Sequence, residues 1–156
     1  MGLSLSTLQY DTLCAHGAAT YPEECCGVLV GRGEAIAPVI EVVPLVNVWG
    51  RAAVTESLAA VASEPRSDSR RRNFAIAPAD LLRVQRQASD RHLTIIGIYH
   101  SHPDHPAIPS EFDRAIAWPD YDYLILSVHQ GQTVAVENWR LNDHGELASS
   151  PLLFTP

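Results

Sequence analysis

The 156-residue chain is short of several things, and each shortage closes off a class of function. Lys and Arg number 11 against 18 Asp and Glu, a formal net charge of −7. There is no basic surplus to displace counterions from a phosphate backbone, which argues against a nucleic-acid binder driven by phosphate contacts. Only three cysteines are present, Cys14, Cys25 and Cys26, with no C-x-x-C pair. They cannot build a full disulfide framework or a four-thiolate zinc site, and a reducing, cytoplasmic compartment is the expectation. No run approaches the roughly 18 apolar residues of a membrane span. No basic stretch followed by an apolar one opens the chain, so neither a membrane segment nor a secretory leader is expected.

What is present is ordinary for a folded protein, 46% hydrophobic and 19% charged, and residues 1–156 are expected to form one domain with a proper core. Leu3-Ser4-Leu5 suits a short strand, and Ser6 stands where a helix N-cap would. Leu8, Leu13 and Ala18 then fall near one stripe of a helix ending before Tyr21-Pro22. Cys25–Val30 is an apolar strand closed by Gly31-Arg32-Gly33, and Ile36–Val46 returns, with Pro38 and Pro44 pointing to an edge or an interruption. From Asn47 to Arg72 the periodicity fades, and a long loop with a short helix over Val54–Ala62 is expected, a flexible insertion ending in Arg70-Arg71-Arg72. The arginine run reads as a solvated face. Asn73–Ile76 is expected to resume as a strand. Pro78 opens a helix to about His92 with Leu81, Val84 and Ala88 inward. Tyr123–Val128 and Thr133–Leu141 make a hairpin around Gln130-Gly131, and Leu152–Phe154 a last strand. Such irregular alternation fits an α/β fold with a mixed sheet flanked by helices better than a doubly wound parallel sheet.

The chemistry gathers in His100-Ser101-His102-Pro103 through Ser110 to Asp113. The β-prone run Ile95–Tyr99 leads in, so the two histidines leave the end of a strand. Alternate strand residues share a face, whereas a helix would set them about 200° apart. Two imidazoles can therefore meet one ion. A catalytic zinc keeps three protein ligands and one open position, and Asp113, on the first turn of a helix starting at Ser110, is the natural third. Ser110 lies in the same segment and can donate to an oxyanion. A base is also required; Glu23 and Glu24 precede the Cys25 strand, but their spacing does not bring either to the ion.

The pattern Glu24 … His100-x-His102-Pro103-x6-Ser110-x2-Asp113 resembles the JAMM (MPN+) metalloprotease signature without a gap. Pro22–Gly31 is similar to that family's glutamate-bearing strand, where the glutamate lies three residues before a glycine, which selects Glu24. The similarity runs from the first helix through Trp139-Arg140-Leu141 and is nearest to the small stand-alone prokaryotic members. The resemblance implies a cytidine-deaminase-like sandwich, a zinc ion on His100, His102 and Asp113, Glu24 as general acid/base and Ser110 at the oxyanion. It implies a peptidase or isopeptidase acting on the C-terminal tail of a ubiquitin-like or sulfur-carrier protein. Residues 47–72 fall where the family carries a substrate-facing insertion, and a second insertion between Asp113 and Tyr123 is absent.

Plainer roles compete with these. Ser-x-x-Asp at a helix start is also a capping box, and Glu24 alone would suit a solvated strand entry. His105, in a turn between Asp104 and Pro106, suits solvent better than a metal, and Cys26 suits a buried small hydrophobe better than a nucleophile. Trp118, Tyr121 and Tyr123 read as core and turn aromatics. The alternative function is a non-catalytic scaffold, as in metal-free relatives that lack a ligand. Deamination is disfavoured, since the His-x-Glu … Pro-Cys-x-x-Cys set is missing.

Overall fold

Residues 1–62 and 64–156 are described by a computed structural model, and the elements below lie within them. In chain order they are β1 (Gly2–Ser6), α1 (Thr7–Thr20), β2 (Cys26–Gly31), β3 (Ile36–Leu45), α2 (Ala52–Ala59) and α3 (Pro78–Ser89). Then come β4 (Thr94–Pro103), α4 (Glu111–Ile116), β5 (Asp122–His129), β6 (Gln132–Leu141), β7 (Leu147–Ser149) and β8 (Leu152–Thr155). The strands form one mixed sheet in the order β7-β6-β5-β4-β2-β3-β1-β8. β4–β5, β1–β3 and β1–β8 are parallel, and the other four pairings are antiparallel. No helix among the described residues is long and apolar enough to cross a membrane.

Helices cover the two faces of this sheet. Ser6 caps α1 through a capping box with Gln9, and Leu13 packs from that helix onto Leu3, Leu29, Leu124 and Leu126. The inward stripe is Leu13 and Gly17, while Leu8 is 76% exposed and Ala18 also faces water. A helix buries a stripe of i, i+3 and i+4 neighbours, and Leu8 and Ala18 flank the one that is used. On the opposite face Val84 and Ala88 of α3 pack on Val28, Val30 and Ile95, with Leu81 at the margin. β2, paired on both sides, is buried along its whole length.

A bulge in the centre decides which side chains reach the site. Leu29 pairs with Gly97 and Val30 with Ile95, so β4 carries one residue more than β2 there. The extra residue reverses the alternation. Ile95 and Ile98 both face α3, and the next residues in phase with Ile98 are His100 and His102. Tyr99 faces the other way, and its ring lies against Gly27: a Cβ at Gly27 would come within 2.4 Å of the ring and of the Val43 carbonyl oxygen.

One expectation is overturned, the strand at residues 73–76, and those for β3 and for the aromatics are refined. β3 is continuous through both prolines; β1 borders it over Ile36–Pro38, and Pro44 lies beyond that border, opposite Gly27 of β2 with its other side open, an edge position. Residues 73–76 form no strand. Among the described residues one backbone–backbone bond, from Val48 N to Ala75 O, joins them to the preceding segment, and the other bonds run through side chains; Asn73, Phe74 and Ala75 are buried as irregular chain. Trp118 opens a turn, its O accepting from Tyr121 N, and is 68% exposed beside an apolar groove, while Tyr123 is buried and its hydroxyl accepts from Trp118 N. Between residues 47 and 72, α2 and Trp49 join Ala75 and Phe112 in a third, smaller core.

Candidate metal centre

His100 and His102 project from the end of β4 onto one face, and their Nε2 atoms stand 3.1 Å apart. Asp113 reaches them from the first turn of α4, with Oδ1 3.3 Å from His100 Nε2 and Oδ2 3.3 Å from His102 Nε2. The helix start is set by a reciprocal pair: Ser110 Oγ accepts from Asp113 N, and Asp113 Oδ2 accepts from Ser110 N at 2.8 Å. The capping role expected of this pair is therefore present, and it aims the carboxylate as well. The Ser110 hydroxyl uses a lone pair in that bond and keeps its proton to donate.

The loop between His102 and Ser110 is pinned from several sides. Asp104 N donates to Val128 O, Ser127 Oγ to His105 O, and Trp139 Nε1 to Ala107 O. Asp104 Oδ2 accepts from the Tyr21 hydroxyl. His105 is exposed at the cleft rim, as expected, and supplies only its backbone to this frame.

Glu24 arrives by register. Cys26 lies opposite His100 in an antiparallel pair, and Cys25 exchanges bonds with Ser101, its N donating to Ser101 Oγ and its O accepting from Ser101 N. One step further sets Glu24 beside His102, with Oε1 3.9 Å from Nε2. Glu24, His100 and His102 present donor atoms within 4.8 Å of one another. All five candidate residues thus line or floor one cleft of about 270 Å³, or touch those that do.

The two carboxyl groups have opposite electrostatic surroundings. Burial and the nearby Asp113 charge push Glu24 well above the usual carboxylate range, with Arg66 opposing them. Burial also works against Asp113, but the attraction and hydrogen bonds of His100 and His102 overcome it and hold that group well below the usual range. Burial lowers the affinity of His102 for a proton, yet Asp113 and the Pro106 carbonyl outweigh it, so its pKa is raised. Burial drives the Cys25 thiol up to about 11 and Cys26 further still, and both side chains are buried, as expected of Cys26 as a small hydrophobe.

The donor set fits a metal ion. His102 Nδ1 donates to Pro106 O at 2.8 Å, which leaves Nε2 as the lone-pair nitrogen. Two imidazole nitrogens 3.1 Å apart beside an ionised carboxylate present converging lone pairs, and a bound cation is the simplest group to satisfy them. His100 is 1% exposed and stacks on Phe74 at 4.4 Å, while its Nδ1 has no hydrogen-bond partner among the described residues.

Sequence reasoning missed the residues that build the walls. Asn47 Nδ2 donates to Glu24 O and Asn73 O, and its Oδ1 accepts from Trp49 N and Ala75 N. Asn73 Nδ2 donates to Ser67 O and Ser69 O, and Arg70 O accepts from Glu24 N. Arg66 lies over the Phe112 ring at 4.5 Å. None of these contacts follows a strand or helix period; the local cue is two asparagines flanking the aperiodic segment.

The fold is that of a JAB/MPN-type domain. Residues 8–142 match the sequence profile of the family described as prokaryotic homologues of the JAB domain, and the chain belongs to it. A desampylase of Haloferax volcanii is 31% identical over 151 residues, which is 94% of each chain. A solution structure of a Desulfitobacterium hafniense protein superposes with a TM-score of 0.74 at 24% identity, covering 98% of this chain and 92% of that one. A crystal structure of a JAB1/MPN domain protein from Archaeoglobus fulgidus gives a TM-score of 0.51 at 16% identity, over 98% and 99% of the two chains. These two structures speak to the fold alone.

Proposed function

We propose that the chain is a zinc-dependent metallopeptidase or isopeptidase that hydrolyses an amide at the C-terminal tail of a ubiquitin-like or sulfur-carrier protein. The observation that carries this reading is the convergence of His100 Nε2, His102 Nε2 and the Asp113 carboxylate, with Glu24 beside them. His100, His102 and Asp113 would hold the ion, which when bound supplies the Lewis acidity that makes water a nucleophile near neutral pH. The opposite environments of the two carboxyl groups support the division of labour. Asp113 stays ionised and serves as ligand. Glu24, its proton affinity raised by burial, takes the proton from the attacking water and returns it to the leaving amine. Ser110 donates its free hydroxyl proton to the developing oxyanion.

The substrate class rests on family membership and on the desampylase relative, whose name supports hydrolysis of a ubiquitin-like modifier. The three cysteines are free, in keeping with a cytoplasmic setting. The test is to incubate zinc-supplemented wild-type and Glu24→Gln proteins with candidate ubiquitin-like carriers bearing C-terminal adducts and to weigh the products. Wild type should release the adduct while the variant does not. Equal hydrolysis by both removes Glu24 from the mechanism, and intact carriers throughout remove the substrate class.

A further inference from the structure

We propose that Arg66, Arg71 and Arg72 form a subsite for carboxylate side chains next to the scissile bond, so that the cleft selects an acidic substrate segment. This rests on the hydrolase reading for what is cut, but its physical basis is separate. All three arginines line the same cleft as Glu24, His102, Ser110 and Asp113. Ion pairs occupy Arg70, Arg83, Arg91 and Arg140; among the described residues Arg66, Arg71 and Arg72 have no carboxylate within 4.0 Å, and unlike Arg32, Arg51, Arg86 and Arg114, which also lack one, they line this cleft.

The run is thus divided in use. Arg70 is held by Glu23 at 2.8 Å, and its carbonyl accepts from Glu24 N, which fastens this stretch to the entry of β2. Arg71 and Arg72 follow directly and stay exposed at the cleft wall. Arg66 is pre-set: Nε donates to Asn73 Oδ1 at 2.8 Å, Nη2 donates to Arg72 O at 3.0 Å, and the plane rests on Phe112. A guanidinium has five N–H donors, so these two bonds leave three for a ligand. A planar fork held in advance loses little entropy on gripping a carboxylate.

Charge counting favours an acidic partner. Counted at formal charge, Glu24 and Asp113 contribute −2, which a divalent ion in the site would balance, and the three arginines add +3; a proton on Glu24 makes the cleft more positive still. The chain as a whole is −7, and with +3 from these arginines and −2 from the two carboxylates inside the cleft, the rest of it sums to −8. A long polyphosphate would be repelled beyond the cleft, whereas a peptide with one or two carboxylates meets only the positive wall.

The test uses two fluorescein-labelled peptides with one scissile amide, identical except that flanking Glu residues in one are Gln in the other. Binding is followed by anisotropy on zinc-supplemented Glu24→Gln protein, which should not consume them. The acidic peptide should bind about 10-fold tighter, with the preference shrinking at about 0.5 M salt. The R71Q/R72Q change in the same background should abolish most of the preference, and Arg66→Gln should reduce it too. The double variant alters exposed residues and keeps the test decisive if Arg66→Gln unfolds. Equal affinity for the two peptides overturns the proposal, as does a preference that survives R71Q/R72Q. So does displacement by a single-stranded oligonucleotide as effective as by the acidic peptide. Turnover by otherwise wild-type protein is read in parallel: selective binding without cleavage would sink the hydrolase reading and leave this subsite standing.

Discussion

Replacing Glu24 by Gln should make the metal-free protein more stable at neutral pH while ending its turnover. The carboxyl is 6% exposed, and burial followed by Asp113 raises its pKa well above the ordinary value. Between the ordinary and the folded-state pKa, the folded chain keeps a proton that the unfolded chain has released. Stability contributed by this group therefore falls as pH rises through that window and stays low above it. Gln carries no charge and should escape the loss. Stabilising exchanges at strained functional positions are typically worth about 1 kcal/mol, which for a chain of this size is about 2–4 °C in Tm. Thermal melts in chelator from pH 4.5 to 8 should show the two proteins converging at the acid end and the variant ahead at the alkaline end. Added zinc should stabilise both, because Glu24 is not assigned as a ligand. A variant that melts below wild type at pH 8 in chelator, or that gains nothing from zinc, refutes the reasoning.

Ser110→Ala should keep zinc yet lower kcat by about 10²–10³ through loss of the oxyanion donor, and cost about 1 kcal/mol as a lost helix cap; metal content, turnover and urea melts separate the two effects. Gly27→Ala should destabilise by about 1–3 kcal/mol, since its Cβ would meet the Tyr99 ring and the Val43 carbonyl oxygen. A urea midpoint equal to wild type would show that the strands yield there. Phe74→Ala should cost about 3–5 kcal/mol as a large-to-small change at a buried site and uncover the stacked face of His100, to be read from chemical denaturation and from zinc affinity.

How far the site can be read from sequence follows from how local each contact is. His100 and His102 are two apart on a strand, and Ser110 and Asp113 form a capping box, so each pair declares itself within a few residues. Glu24 does not. Its place beside His102 is created by the Cys26–His100 register across more than seventy residues, and only likeness to a family pointed to it. The bulge at Ile96 is also silent in the sequence, although it turns the histidines toward α3 rather than α1. Asn73–Ile76 has strand-like composition, but composition cannot supply a neighbouring strand, and the segment became the wall against which His100 stacks. β7 has three residues, too few to show a period. Arg66 sits in an aperiodic stretch, and its importance lies in what Asn73 and Phe112 do to its orientation.

Zinc content after dialysis, measured by mass spectrometry on wild type, Asp113→Ala and Glu24→Gln, tests the proposed centre most directly. The arrangement of His100, His102 and Asp113 predicts about one zinc per chain in wild type and in Glu24→Gln, and essentially none in Asp113→Ala. Zinc kept by Asp113→Ala, or lost from Glu24→Gln, would contradict it and exchange the roles assigned to the two carboxylates.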